Sequence, residues 1–432
     1  MVNYPERRFA MSKDKFPVKI EYVRMSLPKR CTCPACGMNQ DFRKHSVWWK
    51  KVKDISLEKP RMLLVERVRA KCTNPNCPKC TFVLPSSITI KYQRTTFRLQ
   101  KEVIDENLDN VTYRKIASKL TRTFNTTGAK STVDDWKQRE AEKFSFKDII
   151  KAMRFSGSLS IDEYKPSRSK HYDIIAADAK KVRILYIETA PFSPRHAGTL
   201  ARGDIEGFCW KLYEFGITNP KVVIVDLLKA YPKQIKKVWP NALIQFDYFH
   251  VMQVIYKHLK QLLFGFIRNL RKEDPLAAEE LWEYRWRILR NMEKWNTKDH
   301  EIVPRLMEIY ADTPIEQILL FKERLHDIFN LSKSKQEAYE KRNILFNETW
   351  WRNSWHLTQA MRFLMRPDFD YMVTYLDNPG IPRCGNLETL IRSWRQLEKI
   401  RYGFASEKGR QNHLKLYQIK HYLKGHSSQN FG

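Results

Sequence analysis

Three carboxylates, each closing or opening its own short pattern, carry the chemistry available to this sequence. Asp162 lies in Leu159-Ser160-Ile161-Asp162-Glu163-Tyr164, where an apolar run ends in acid. Asp226 closes the β-branched run Val222-Val223-Ile224-Val225, and Glu388, in Asn386-Leu387-Glu388, heads an amphipathic stretch rich in arginine. Two strand-end aspartates and a distant glutamate on a helix are what a nuclease-like site needs to hold two divalent ions, which lie about 3.5–4 Å apart and clamp the attacking and leaving oxygens of a phosphodiester. Oxygen ligands of this kind suit Mg2+ (or Mn2+). Asp247 and His250 lie in Asp247-Tyr248-Phe249-His250. They follow another strand and can face the same mouth as Asp226, with His250 contacting a phosphate or orienting a carboxylate or water. The competing reading makes Asp247 the cap of the next helix and His250 a first-turn histidine. Glu163, Asp178 and Glu398 are rival carboxylates. Glu163 alternates away from Asp162 on a strand, and Glu398 sits ten residues beyond Glu388, nearly on the same helical face.

A second constellation suits a structural metal. Six of the eight cysteines fall before residue 81: Cys31, Cys33, Cys36, Cys72, Cys77 and Cys80. Cys33-Pro34-Ala35-Cys36-Gly37 and Cys72-Thr73-Asn74-Pro75-Asn76-Cys77 form two knuckles, and four thiolates converging tetrahedrally make a closed Zn2+ site. Cys33, Cys36, Cys72 and Cys77 are the expected ligands, with Cys31 and Cys80 as possible substitutes. A set of buried free thiols is the blander alternative.

The elements that must position these groups are legible in outline. Val65–Ala70 alternates as a strand does, so the long spacer between the knuckles is expected to be strand-rich. Residues 96–145 read as helices: Ile116, Ala117 and Leu120 share one face, a polar turn with Gly128 follows, and Ser131 to Asp134 carries capping-box spacing. This resembles a helix-turn-helix, whose second helix, with Ser131, Thr132 and Lys137, would enter a DNA groove; a plain helical linker is the other reading. Strands are expected at 158–165, 172–177, 182–188, 221–225 and 243–247, with helices at 205–215 and 231–238, and residues 252–365 are helical in pattern. The six tryptophans of that stretch (Trp282, Trp286, Trp295, Trp350, Trp351 and Trp355) are expected mostly in the core, one or two being candidates to stack on unpaired bases. The fold class is therefore α/β, a ribonuclease H-like catalytic core interrupted by an all-α insertion and preceded by a small zinc ribbon and a helical helix-turn-helix domain. The expected divisions are a basic segment at 1–30, the ribbon at 31–95, the helix-turn-helix at 96–150, the first part of the core at 151–251, the insertion at 252–378, the glutamate helix at 379–412 and a basic tail at 413–432.

Composition limits the partners. Against 48 acidic residues stand 78 basic ones, a net charge of +30 in 432 residues. Such a field attracts polyanions, nucleic acid first, although a solvated basic surface would give the same count. Residues 1–30 hold eight basic and three acidic side chains and no long apolar core, and the longest apolar stretch, Leu262–Ile267, is far below the roughly 20 residues that span a bilayer. A cytoplasmic protein with no membrane partner is expected.

Taken in order and spacing, these motifs resemble the insertion-sequence transposases of the ISL-three family. The resemblance rests on the cysteine ribbon with its Asn-Pro, the helix-turn-helix, Ile161-Asp162-Glu163, and Asp226 with Tyr231 five residues on. It continues through Pro240-Asn241-Ala242, Phe246 to Val251, Asn386-Leu387-Glu388, and Tyr402-Gly403-Phe404 fourteen residues after the glutamate. The resemblance implies Asp162, Asp226 and Glu388 as a DDE triad holding two magnesium ions, with Asp247 and His250 as its accessory pair. It further implies cleavage at terminal inverted repeats, strand transfer into target DNA, and a homo-oligomer assembled on double-stranded DNA. Two places depart from the family: Ile391 stands where an asparagine is usual, and Cys384-Gly385-Asn386 replaces a Ser-Asn-Gly-like loop. Arg392, Arg395, Lys399 and Arg401, after the glutamate, are candidate backbone contacts or a solvated helix face. A DNA-binding regulator or transposase remnant that cuts nothing, and a ribonuclease H-like nuclease without strand transfer, are the competing functions.

Overall fold

The computed structural model describes residues 19–56, 59–89, 93–124, 129–166, 169–194, 196–401, 403–404 and 406–423. Most of the basic segment at 1–30, Gly128, Tyr402 and the tail after Leu423 lie outside the described residues. The chain forms two compact units, residues 1–144 with 400–432, and residues 145–399.

The first unit begins with β1 (Lys19–Val23), β2 (Arg30–Thr32), β3 (Asn39–Asp41), β4 (Lys44–Ser56), β5 (Lys59–Lys71) and β6 (Thr81–Val83). The long β4–β5 hairpin is the strand-rich excursion between the knuckles; β1 adds to β5 in parallel and β6 antiparallel, while β2 and β3 pair separately. Alternation at the end of β5 buries Val68 and Ala70 and leaves Arg69 and Lys71 outside. Helices α1 (Phe97–Leu108), α2 (Tyr113–Phe124) and α3 (Lys130–Ala141) follow. Asp54, fully buried on β4, joins the two layers: it accepts from Arg61 Nε (2.6 Å), from the Thr96 hydroxyl (2.6 Å) and from Arg98. Thr96 in turn caps α1, accepting from Leu99 N. Capping at α3 differs from the sequence expectation. The helix begins two residues earlier, after Ala129, with no side-chain cap, so Ser131 lies within its first turn. Asp134 instead accepts from the Tyr113 hydroxyl (2.9 Å) and ties α3 to α2.

The second unit opens with α4 (Phe146–Met153), then β7 (Ser158–Tyr164), β8 (His171–Asp178), β9 (Arg183–Pro194), α5 (Arg202–Glu214), β10 (Val222–Val225), α6 (Ala230–Val238) and β11 (Leu243–Phe246). Their strands form one sheet in the order β11-β10-β7-β8-β9, antiparallel across β7-β8-β9 and parallel across β7-β10-β11. Phe146, Tyr186 and Phe215 pack together beside it, ring centroids 5.0–5.4 Å apart, with Tyr186 edge to face against the other two. Next comes a run of helices: α7 (Tyr248–Glu273), α8 (Pro275–Leu289), α9 (Thr297–Ile309), α10 (Pro314–Phe329), α11 (Lys335–Asn347), α12 (Trp355–Leu364) and α13 (Phe369–Met372). Local signals start them: Asp274 caps α8 ahead of Pro275, and Asn296 with Asp299 closes a capping box on α9. Gln245, buried in β11, grips this run through Met372 O (3.1 Å) and Tyr375 N (3.0 Å). The six tryptophans correct the expectation of a core role: Trp351 is buried, but Trp282, Trp286 and Trp355 are 41%, 49% and 64% exposed. Then comes α14 (Leu387–Arg401), carrying Glu388 in its first turn.

The last helix, α15 (Glu407–Tyr422), belongs to the first unit, where a basic tail was expected from residue 413. It packs on α3 and α1: Lys137 Nζ lies 2.7 Å from His413 Nδ1, and Lys420 Nζ donates to Asp105 O at 2.8 Å and pairs with Asp109. Among the described residues no helix is long and apolar enough to cross a membrane.

Candidate active site

The sheet register sets the level of the site. Ile161 pairs with Val225 and Val225 with Phe246, so the next residues follow side by side: Asp162 within β7, where its pairing with β10 stops, and Asp226 and Asp247 just past the carboxyl ends of the parallel strands β10 and β11. Apolar residues before each aspartate fill the sheet interior, which leaves the acids at its edge; β10 is buried throughout. His250 enters from the first turn of α7. Its Nδ1 lies 3.5 Å from Asp226 Oδ1 and its Nε2 3.9 Å from Asp162 Oδ2, so the imidazole stands between the two carboxylates. Ligand atoms of Asp162, Asp226 and His250 all fall within 4.8 Å of one another.

Charge makes this arrangement receptive to a cation. Burial raises Asp162 well above the usual carboxylate range, and the neighbouring acids Glu163, Asp226 and Asp247 push it the same way, against a hydrogen bond from Glu163 N (2.8 Å). Glu163 is raised too, first by burial and then by Asp226, while the Tyr231 hydroxyl and His250 oppose the rise. Strand alternation suggested that Glu163 is remote from the site. The structure instead keeps its carboxylate within electrostatic reach of Asp226 and His250, held by the fully buried Tyr231 at 2.8 Å. Tyr231, five residues past Asp226, was legible as a motif position; its partner depended on the packing of α6 against the sheet.

Asp247 has a different task. Its Oδ1 accepts from Phe249 N (2.8 Å), capping α7, and its Oδ2 accepts from Gly385 N (2.8 Å). The helix-cap reading of Asp247 therefore describes its geometry, with a second bond that clasps the loop before Glu388. That loop sits tightly: a Cβ on Gly385 would lie 1.9 Å from Ser160 Oγ and 2.9 Å from Ser160 Cβ. Tyr248 N also donates to Arg383 O (3.0 Å), and Asn386 turns the chain into α14 at φ 56°, a left-handed conformation that asparagine tolerates. Glu388 itself is exposed at the start of α14, and its carboxylate is not gathered with Asp162, Asp226 and His250.

The rival acids have structural partners. Asp178 accepts from Ser156 N and its hydroxyl and from Lys180 N and Lys181 N; Glu398, 5% exposed, accepts from the Tyr164 hydroxyl at 3.1 Å. Ile391, at the position where the resembled family has asparagine, is buried. Of the candidate DNA contacts, Ser131, Thr132, Arg392 and Lys399 are exposed. Lys137 is not: it is 3% exposed, against His413 and 5.6 Å from the Tyr113 ring, because α15 covers that face of α3. Arg395 is half-buried over the Tyr164 ring, and the side chain of Arg401 lies outside the described residues.

In the first unit the sulfurs of Cys33, Cys36, Cys72 and Cys77 also lie within 4.8 Å of one another. The pairs Cys33–Cys77 and Cys36–Cys72 are 3.7 Å apart, close to the roughly 3.8 Å edge of a tetrahedron with 2.3 Å metal–sulfur bonds. The backbone at Met38 draws Cys36 down to about 6, while burial drives Cys77 up to about 12. Four thiolates this close need a cation to ionise together. Cys31 and Cys80 stand outside the group; the carbonyl of Cys80 accepts from Cys72 N (2.8 Å) and braces the knuckle.

The second unit is a mixed sheet with two aspartates and a histidine gathered at the ends of its strands, and the first unit holds a four-cysteine cluster, so each has one candidate metal centre. The family model of ISL-three DDE transposases, described as transposase, matches residues 159–408, more than half of the 432-residue chain, and the chain belongs to that family. No curated protein matches it.

Proposed function

We propose that this transposase binds the terminal inverted repeats of its insertion sequence, cuts DNA strands there with divalent metal, and joins the exposed 3′ ends to target DNA. The observation that carries the reading is the convergence of Asp162 and Asp226, from neighbouring parallel strands, on His250. The strand order and directions support a ribonuclease H-like core. The residues fit a hard divalent cation: oxygen-rich ligands, one deeply buried and raised by its neighbours, gain most from a counter-charge. Asp162 and Asp226 would hold Mg2+ or Mn2+, and Glu388 completes the set in this reading. When bound, such ions activate water and neutralise charge on the phosphodiester oxygens.

The remaining steps fall to the chain. His250 orients the two carboxylates, Tyr231 fixes Glu163 behind them, and Asp247 holds the loop that delivers Glu388. Cys33, Cys36, Cys72 and Cys77 would hold a structural Zn2+ in a ribbon, and α2 with α3 would present Ser131 and Thr132 to the repeats. Arg392 and Lys399, exposed along α14, would meet backbone phosphates and set register. Pairing two element ends calls for a homo-oligomer on DNA.

A strand-cleavage and strand-transfer assay with Mg2+, on DNA bearing the flanking repeats, tests this reading. Wild type is expected to give joined products, and Asp226→Ala to bind DNA without cutting. Binding without cutting by both would make the protein a regulator; cutting without joining would make it a nuclease.

A further inference from the structure

We infer that the helical insertion carries a stacking platform for unpaired DNA, laid along α7 and α8; this rests on the reading of the protein as DNA-bound. The face of α7 that starts with His250 continues, within an arc of about 60°, through Lys257, Gln261, Phe264 and Arg268. Lys257, Gln261 and Arg268 are exposed. Helix α8 folds back beside this face and sets two tryptophans against it. Trp282 lies 5.5 Å and Trp286 6.2 Å from the Phe264 ring. Both are more than 40% exposed, at positions where a helical insertion would ordinarily bury its tryptophans.

Cations lie over these rings. The Arg285 guanidinium is 4.2 Å from the Trp282 ring and 5.4 Å from Trp286, and Lys260 Nζ is 5.5 Å from Trp286. Flat apolar faces interleaved with positive charge are what a single strand needs, rings for its bases and cations for its phosphates. A duplex cannot use them, because its base faces are already stacked within the helix. An apolar protein partner would not be favoured by so many cations around the rings. Phe264 lies fourteen residues past His250, about 21 Å along the helix, a distance that a few unpaired nucleotides span. A strand frayed or displaced at the cut would reach the platform directly.

The test uses the full chain carrying Asp226→Ala, so that binding is read without cutting. The probes are a twelve-residue oligo-dT containing one 5-iododeoxyuridine, and a blunt duplex of the same length. Light-induced cross-links are expected in peptides containing Trp282 or Trp286. Trp282→Ala with Trp286→Ala is expected to weaken oligo-dT binding by about tenfold or more and leave duplex binding unchanged. Phe at both positions should restore most of the loss, which a general folding defect would not allow. Cross-links confined to residues outside α7 and α8, or equal losses on both probes, would overturn the platform. Cross-linking at Trp282 by a chain whose wild type never cuts would keep the platform and sink the catalytic reading; cutting without such cross-links would do the reverse.

Discussion

Gly385 shows how little room the site leaves. Its backbone N–H is spent on Asp247, and the space a side chain would need is filled by Ser160, two residues before Asp162. Replacing it with alanine must push the loop off the sheet edge and displace the start of α14, where Glu388 sits. Misplacing a catalytic group by about 1 Å costs roughly a hundredfold in rate. Gly385→Ala is therefore expected to lower strand cleavage by about that factor with DNA binding retained, as read by parallel cleavage and gel-shift titrations. Adding Ser160→Gly removes both the hydroxyl and the Cβ that clash, and should recover part of the activity. No recovery at all would show that the clash is not the cause. Residues 384–386 depart visibly from the family loop, but no local pattern places Ser160 beneath them, since 225 positions separate Ser160 from Gly385.

Among the elements, β4 and α1 are joined by one carboxylate. Burial works against ionisation of Asp54, yet the Thr96 hydroxyl, Arg98 and Arg61 hold it below the ordinary carboxylate range. A depressed folded pKa contributes stability that is present above the unfolded value of about 3.9 and is lost as pH falls through the folded value. Asp54→Asn removes the charge that Arg61 and Arg98 share, although Arg61 keeps Glu21 and Arg98 is half exposed, and it is expected to destabilise the first unit by about 1–2 kcal/mol at pH 7, as measured by urea unfolding. The gap between mutant and wild type should narrow as pH drops below about 4; a gap independent of pH would refute the linkage. The same unit shows how tertiary packing reassigns a residue. By its sequence α3 resembles a recognition helix, which would put Lys137 against DNA. Burial against α15 turns it into a contact within the unit, and only Ser131 and Thr132 of that trio remain exposed.

For the whole molecule, the division into two units has a consequence for metal removal. Four cysteine sulfurs form part of the core of the first unit, beside Val68, Ala70, Phe82 and Leu84, whereas residues 145–399 have their own sheet and helices. Cys33→Ser is expected to lower bound zinc from about one per chain to none, read by elemental analysis, and to expose residues before about 95 to proteases first. A resistant fragment covering 145–399 should survive; simultaneous loss of both units would show that they fold as one. The paired cysteine knuckles, the strands leading to Asp162 and Asp226, the helical run after residue 248 and the net charge of +30 could all be read from the sequence, because each depends on neighbours within a few residues or on composition alone. Tertiary structure decided the rest: His250 between the two aspartates, Glu163 held by Tyr231, Asp247 clasping Gly385, tryptophans turned outward, and α15 returned to the first unit. Those outcomes depend on which faces meet across long stretches of chain, and local periodicity carries no record of the partner.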